Sequence, residues 1–329
     1  MPLLEVSDLS VRFSTDRGPV HAVDRMSFTL QEGEVLGLVG ESGCGKSVTA
    51  LSLLRLLPSS AEISGSARFA GEDLLRVPDA RLRRIRGKEI SFVFQEPMTS
   101  LNPVYTVGRQ IGEVLRKHLG LSRAAARARA IELLELVRIP AAPRRLAEYP
   151  HQLSGGMRQR VMIAMAVACD PKILIADEPT TALDVTIQAA ILDLVRELRA
   201  RLGTAVILIT HNLGVVADLA DRVVVMYAGR QAEEAPVHEL FAHPQHPYTI
   251  GLLRAIPRLG EEHREGGKRP RLQEIPGRVP SLAELPQHCA FAPRCPRADE
   301  LTWSQVPELR EVRRGHSVAC FHPGGAWPR

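Results

Sequence analysis

The alternation of apolar and polar positions near the N-terminus, in "LLEVSDLSVRF" and "AVDRMSFTL", predicts short strands. The next run, "GEVLGLVG", is apolar on both alternate sets and bounded by glycines, the pattern of a strand buried on both faces. "SVTALSLLRLL" then takes helical spacing up to Pro58. It is followed by "SARFAGEDLL" and by a second buried strand, "EISFVFQE", ending at Gln95. From about Met98 to Arg138 the spacing becomes helical: Ile111, Leu115 and Leu119 share one face. Ala130, Leu133, Leu134 and Val137 form a second stripe at i, i+3, i+4, i+7. A helix is expected to open after the glycines of "LSGGMRQRVMIAMAVACD". A strand "KILIADEP", a long amphipathic helix "TIQAAILDLVRELRARLG" and a strand "TAVILITH" follow. Strands alternating with helices predict an α/β fold around a parallel sheet, without internal repeats. Between Pro257 and Pro280 the chain turns rich in Pro, Gly and charge, which reads as a linker. The remaining segment looks loop-like, too poor in apolar pattern to bury a core by itself. The expected organisation is a domain over residues 1–257, with a helical insertion at about 96–160, and an extension over 258–329.

Composition narrows the function classes. With 45% apolar and 24% charged residues, the 329-residue chain has the make-up of a soluble protein with a substantial core. No apolar run approaches the ~18 residues of a membrane span, and the acidic N-terminus does not resemble an export signal. A cytosolic chain able to dock on a membrane protein is expected. The net charge of +5 is modest and aromatics are only 4%, so nucleic acid is not the expected partner. "RLRRIRGK" and "KRPR" read as solvated faces or partner contacts. Five cysteines in a cytosolic chain argue against a disulfide framework.

The chemistry starts at "GESGCGKS", Gly40–Ser47, which fits G-x-x-x-x-G-K-[ST] between a predicted strand and a predicted helix. Glycines let backbone N–H groups approach phosphate, Lys46 reaches the β/γ-phosphate oxygens, and the Ser47 hydroxyl suits Mg²⁺. Asp177 and Glu178 stand at the end of a buried strand, where ligands of open α/β sheets gather. Asp177 suits the surroundings of Mg²⁺, and Glu178 the proton of an attacking water. A helix-capping pair is the alternative. His211 ends another strand and points toward the γ-phosphate, or is structural. Gln95 ligates Mg²⁺ or water, or is an ordinary loop residue. "LSGG" poses a puzzle, since it looks like a second phosphate cradle in a chain that already has one.

The order of phosphate loop, Gln95, "LSGGMRQR", "ILIADE", "ALD" and His211 closely resembles the ATP-binding subunit of an ABC transporter, over roughly Leu3 to Pro257. The resemblance implies a P-loop NTPase cassette with a parallel-sheet core, an antiparallel β subdomain and an inserted helical subdomain, followed by a small loop-rich C-terminal extension. It implies ATP and Mg²⁺ as ligands. Nucleotide contacts fall on Gly40, on the run Ser42, Gly43, Cys44, Gly45, Lys46, Ser47 and Val48, and on Phe13 stacked against adenine. Mg²⁺ falls to Ser47, Gln95 and Asp177, and catalysis to Glu178, His211, Gln95 and Lys46. It also answers the puzzle: two such subunits face head to tail, and Ser154 and Gly156 of one hold the ATP of the other, with Asp184 signalling across the interface.

A narrower resemblance, carried by "FQEPMTSLNPVYTVGRQI", "HPQHPYTIGLLRAIP" and "CAFAPRCP" with "VAC", is to the oligopeptide/dipeptide branch, which includes nickel importers. It implies ATP-driven peptide import. The partners would be a second, different ATPase subunit, two transmembrane permease subunits and, through them, an extracytoplasmic solute-binding protein. The chain would sit on the cytoplasmic face of a bacterial or archaeal membrane. Nickel or another small solute is the alternative cargo, and a soluble ABC protein acting on nucleic acid or ribosomes a more remote one. Cys44 and Cys169 read as packing. Cys289, Cys295 and Cys320 cluster in the tail, where some relatives resemble C-x5-C-x6-C plus a fourth cysteine and carry a [4Fe–4S] cluster. Here Thr302 replaces one ligand. The open readings are a cluster completed by Asp299 or water (or one of three irons), zinc with His288, His316 or His322, and no metal.

Overall fold

The computed structural model describes residues 1–16, 18–96, 100–179, 185–256 and 274–325. Its chain divides into two compact units that alternate along the sequence. One comprises Met1–Leu4, Leu30–Val35 and Phe69–Ile209, the other Glu5–Thr29, Leu36–Arg68 and Thr210–Arg329.

In the first unit the apolar runs read as strands are strands. Beyond the two-residue β5 (Glu72–Asp73), β6 (Ile90–Val93), β7 (Ile173–Asp177) and β8 (Ala205–Thr210) pair in parallel, with Ile90 opposite Ile173 and Ile173 opposite Ala205. Every residue of β7 and β8 is buried, as parallel strands covered on both faces require. The helices of this unit are α2 (Asp79–Ile85), α3 (Val107–Leu119), α4 (Arg123–Leu136), α5 (Ala142–Arg145), α6 (Gly155–Ala166) and α7 (Val185–Leu202). Thr106 starts α3 by accepting from the Arg109 N–H, Gly120 in the left-handed region (φ 68°) ends it, and Ser122 caps α4. Ile111 and Leu115 of α3 and the stripe Ala130, Leu133, Leu134, Val137 are all buried. The three helices α3, α4 and α6 pack on one another through them. Each large apolar side chain buried this way contributes about 1.5–3 kcal/mol. Leu119 does not join its stripe; it is 41% exposed at the last turn of α3. Cys169 lies beyond the end of α6 rather than on its apolar face, though it is buried as expected.

In the second unit β1 (Leu4–Thr15) lies between β2 (Gly18–Leu30) and β4 (Ala61–Phe69). β3 (Val35–Val39) pairs in parallel with β9 (Arg222–Tyr227), and β9 turns back into antiparallel β10 (Arg230–Pro236). That turn is the two residues Ala228 and Gly229, both at positive φ (46° and 77°), the tight hairpin geometry that suits twisted strands. The helices are α1 (Lys46–Leu53), α8 (Leu213–Leu219), α9 (Val237–Ala242), α10 (Pro247–Arg254) and α11 (Glu300–Ser304). α1 stops before Pro58 is reached: Arg55 takes a left-handed conformation (φ 50°) just past the Leu54 cap.

The C-terminal segment is more integrated than its sequence suggests. β12 (His316–Val318) pairs antiparallel with β10, and β11 (Arg310–Arg313) pairs antiparallel with β12. Phe291, Val318, Arg294 and His316 from this segment are buried. It has no core of its own because it uses that of the second unit.

Candidate functional site

In the second unit, β3 runs into the phosphate loop and the loop into α1. Gly40 has φ 153°, and a Cβ there would lie 2.3 Å from the Met226 carbonyl oxygen. Gly45 caps α1 at φ 102°, and a Cβ there would lie 2.4 Å from the Ala22 oxygen. At Gly43 (φ 77°) the space a Cβ would take is open, on the exposed side of the loop with Ser42. Lys46 is 5% exposed, and its Nζ donates to the oxygens of Gly40 (2.8 Å) and Glu41 (3.0 Å). The first bond of the α1 ladder runs from the Thr49 N–H to the Gly45 oxygen (2.9 Å), so the N–H groups of Lys46, Ser47 and Val48 precede the ladder and face outward. A buried ammonium, a helix N-terminus and a glycine-rich turn fit a polyphosphate. Cys44 is fully buried, and burial pushes its thiol up against the opposing pull of Lys46, so it packs as a neutral side chain. Phe13 is half-buried on β1. His211 is exposed and follows directly on β8, and Asn212 beside it caps α8.

In the first unit, Asp177 is the last residue of β7 and 5% exposed. Glu178 follows at φ 45°, a left-handed conformation that a side-chain-bearing residue adopts at a cost of about 1–2 kcal/mol. Its N–H is fixed on the Ile209 oxygen (2.9 Å), and the Gln95 Nε2 donates to its carboxylate at 3.0 Å. The structure thus joins two residues selected separately in the sequence, 83 positions apart. Ser154 is exposed and is the cap of α6, its Oγ accepting from the Met157 N–H (3.3 Å). The helix therefore begins with Gly155 and Gly156, where the sequence placed it after them. A capping serine starts a helix at the next residue, whatever that residue's propensity. Asp184 lies outside the described residues.

Residues 23–181 match the ABC transporter family, and residues 232–301 match the oligopeptide/dipeptide transporter C-terminal region. A putative peptide import ATP-binding protein of Brucella abortus is 59% identical over 97% of this chain and 94% of its own length. The chain belongs to the ABC transporter ATP-binding family. The oligopeptide transport ATP-binding protein OppD of Salmonella typhimurium is 51% identical, covering 98% of this chain and 94% of that one. Among solved structures, the dimeric ATP-binding cassette MJ0796 in a post-hydrolysis state bound to ADP and Pi aligns with a TM-score of 0.64. It is 28% identical over 71% of this chain and 98% of that one. The fold is that of ABC cassettes.

Mg²⁺ is a hard cation that takes oxygen ligands, and each residue expected to hold it carries one: Ser47 a hydroxyl in the second unit, Asp177 a carboxylate and Gln95 an amide oxygen in the first. Nothing among the described residues supports a cluster at the tail cysteines. Among the described residues, no three of His, Cys, Asp and Glu are arranged to hold a metal ion. Burial pushes the thiols of Cys289, Cys295 and Cys320 up, the last to about 11. Thr302, at the missing ligand's position, forms a reciprocal cap with Asp299 (2.8 and 2.9 Å), and the Asp299 carboxylate meets His322 at 2.8 Å. His316 is held by Glu233 at 2.7 Å, and His288 packs on the Trp303 ring. Each side chain named as a substitute ligand is engaged elsewhere, so the iron–sulfur expectation and its zinc variant are not supported.

Three residues that the sequence did not single out, one in the loop and two outside it, hold the loop in place. The Glu41 N–H donates to the Tyr248 Oη (2.8 Å), and the Arg294 guanidinium binds both Glu41 carboxylate oxygens (2.7 and 3.0 Å). Burial pushes the Tyr248 hydroxyl up, so it is a neutral partner. Positions separated by 207 and 253 residues leave no local pattern from which such pairs are read.

Proposed function

We propose that this chain is the ATP-hydrolysing subunit of an ABC importer of di- or oligopeptides, working at the membrane as a dimer with a second ATPase subunit. The observation that carries the cargo is full-length likeness, 51–59% over at least 94% of each protein, to relatives named for peptide import or oligopeptide transport. The oligopeptide/dipeptide transporter region at 232–301 supports the same reading. No described helix is long and apolar enough to cross a membrane; in this reading permease subunits supply the pathway.

The proposed division of labour is supported by the family resemblance and by the geometry of each unit. Lys46 and the N–H groups at the start of α1 hold the ATP phosphates, Phe13 stacks on adenine, and Ser47, Asp177 and Gln95 hold Mg²⁺. Mg²⁺ held there would supply positive charge against the phosphates. Glu178, fixed by its backbone and by the Gln95 amide, orients the attacking water and accepts its proton. His211 contacts the γ-phosphate. Ser154 and Gly156, at the N-terminus of α6, close on the ATP of the opposite subunit, and Asp184 transmits its state. ATP held at such an interface favours the closed dimer only as long as it stays intact, which makes hydrolysis the reset.

The test is transport in proteoliposomes containing this chain, its partner ATPase and permeases, with the binding protein and labelled peptides outside. ATP-dependent peptide uptake that Glu178→Gln abolishes is the expected result. Uptake of Ni²⁺ but of no peptide overturns the cargo assignment.

A further inference from the structure

The strongest unassigned feature is the contact between the C-terminal segment and the phosphate loop, both in the second unit. A guanidinium has five N–H donors, and those of Arg294 meet five acceptors. Two are the Glu41 carboxylate oxygens, and the others are the oxygens of Pro276 (2.9 Å) and Ile275 (3.2 Å) and the Tyr227 hydroxyl (3.3 Å). The side chain is 3% exposed and lies against the rings of Tyr227 and Phe291. Gly277 lets the chain pass this close, since a Cβ there would sit 3.1 Å from the Arg294 Cγ at φ 81°. The socket is shaped for a planar fork, which a lysine cannot reproduce.

Glu41 is equally committed. Its N–H is taken by Tyr248, and its carbonyl accepts from the Lys46 Nζ (3.0 Å) and the Cys44 N–H (3.3 Å). Its carboxylate is taken by Arg294. One residue therefore links the C-terminal segment to the lysine of the loop. A carboxylate in the loop that cradles a triphosphate would repel it.

We propose that Arg294 is a positioning residue of the ATP site. It neutralises Glu41 and fixes the loop that carries Lys46, so that nucleotide affinity depends on the C-terminal segment. The inference rests on the reading of Gly40–Ser47 as the ATP cradle. The segment is then a structural part of the nucleotide site as well as a family appendage. Arg294 acts through Glu41 and touches no reacting atom, so its loss weakens binding more than turnover.

The test measures Mg²⁺-dependent binding of a fluorescent ATP analogue to the full chain, together with KM and kcat for ATP in the assembled dimer. Lys46→Ala is the control for the cradle itself: nucleotide binding unchanged by it would sink that reading. With the control behaving, Arg294→Ala is expected to raise Kd and KM roughly tenfold, equivalent to about 1.4 kcal/mol, with kcat changed less than about threefold. Arg294→Lys should recover only part of the affinity. Glu41→Gln keeps the backbone links and removes the repulsive charge, so in its presence Arg294→Ala should lose most of its effect. Should Arg294→Ala fold poorly, Arg294→Lys and Glu41→Gln carry the same comparison. Native affinity in folded Arg294→Ala or Arg294→Lys, or independent additive effects of the Arg294 and Glu41 changes, would overturn the proposal.

Discussion

Glu233 is the most demanding buried group of the second unit, and replacing it should be severe. It is fully buried in β10 and accepts three bonds: from the Gln245 N–H (2.7 Å), the His246 N–H (2.8 Å) and the His316 Nε2 (2.7 Å). His316, also fully buried, belongs to β12, so the same carboxylate joins the C-terminal hairpin to β10 and to the start of α10. Each buried group left without its hydrogen-bond partner costs about 1–3 kcal/mol. Glu233→Ala orphans two backbone N–H groups and the His316 Nε2, whereas His316→Ala breaks only one of the three bonds. A rank as well as a size is therefore expected: roughly 3–6 kcal/mol for Glu233→Ala against about 1–3 for His316→Ala. Both tryptophans, Trp303 and Trp327, lie in the C-terminal segment. Urea unfolding followed by Trp303 fluorescence in a Trp327→Phe background reads this region directly. Equal losses in the two variants, or a loss below about 1 kcal/mol for Glu233→Ala, would refute the reasoning.

Three further outcomes follow from the geometry. Gln95→Ala removes the amide that orients Glu178 and an oxygen proposed for Mg²⁺, so it should lower kcat about 10–100-fold and raise the Mg²⁺ concentration needed for hydrolysis; steady-state hydrolysis by the assembled dimer checks it, and an unaltered kcat contradicts it. Gly45→Ala drives a Cβ onto the Ala22 oxygen and should abolish nucleotide binding. Gly43→Ala, with open space, should bear only the left-handed backbone cost of about 1–2 kcal/mol, as a binding titration of both variants would reveal. Burial, only partly opposed by Glu233, holds His246 down at about 4, and its Nδ1 accepts from the Tyr248 N–H in the neutral form. Unfolded, the same imidazole titrates near 6.5. Between these values the unfolded chain binds a proton that the folded one does not. This contribution is therefore full above pH 6.5 and is lost as pH falls toward 4, by roughly 3 kcal/mol. His246→Asn, which keeps a capping acceptor, should flatten that part of the stability profile; a wild-type slope in the variant would count against it.

What the sequence reveals of this protein is set by the range over which each feature is encoded. The phosphate loop is legible because a strand, a glycine turn and a helix N-terminus must follow within a few residues, and Gly40 and Gly45 are required by backbone contacts at those positions. Asp177 and Glu178 are legible because an apolar run that ends in carboxylates marks a strand terminus. The pairing of Gln95 with Glu178 could be anticipated only through the resemblance, since chain distance hides it. The capping role of Ser154 is encoded in the serine itself, because a capping hydroxyl starts the helix at the next residue even where that residue is glycine. β11 and β12 are four and three residues long, too short for a period-2 pattern, and their place is set by β10, more than 80 positions earlier. Arg294 and Glu233 are informative for the same reason that they are invisible in sequence. Each satisfies groups brought together by the fold, so neither lies in a motif. The tail cysteines mislead in the opposite direction, because their spacing suggests a metal site while Thr302, Asp299 and His322 bond to one another.

The central claim, that Ser154 and Gly156 complete the ATP site of a facing subunit, is tested most directly by mass in solution. The Glu178→Gln chain is mixed with Mg²⁺ and ATP, alone and with the second ATPase subunit, and its mass is compared with that of the Ser154→Arg, Glu178→Gln double variant. The account predicts an ATP-dependent dimer with the second subunit that the Ser154 change abolishes. A chain that stays monomeric with ATP under both conditions, or a dimer indifferent to Ser154→Arg, would contradict it.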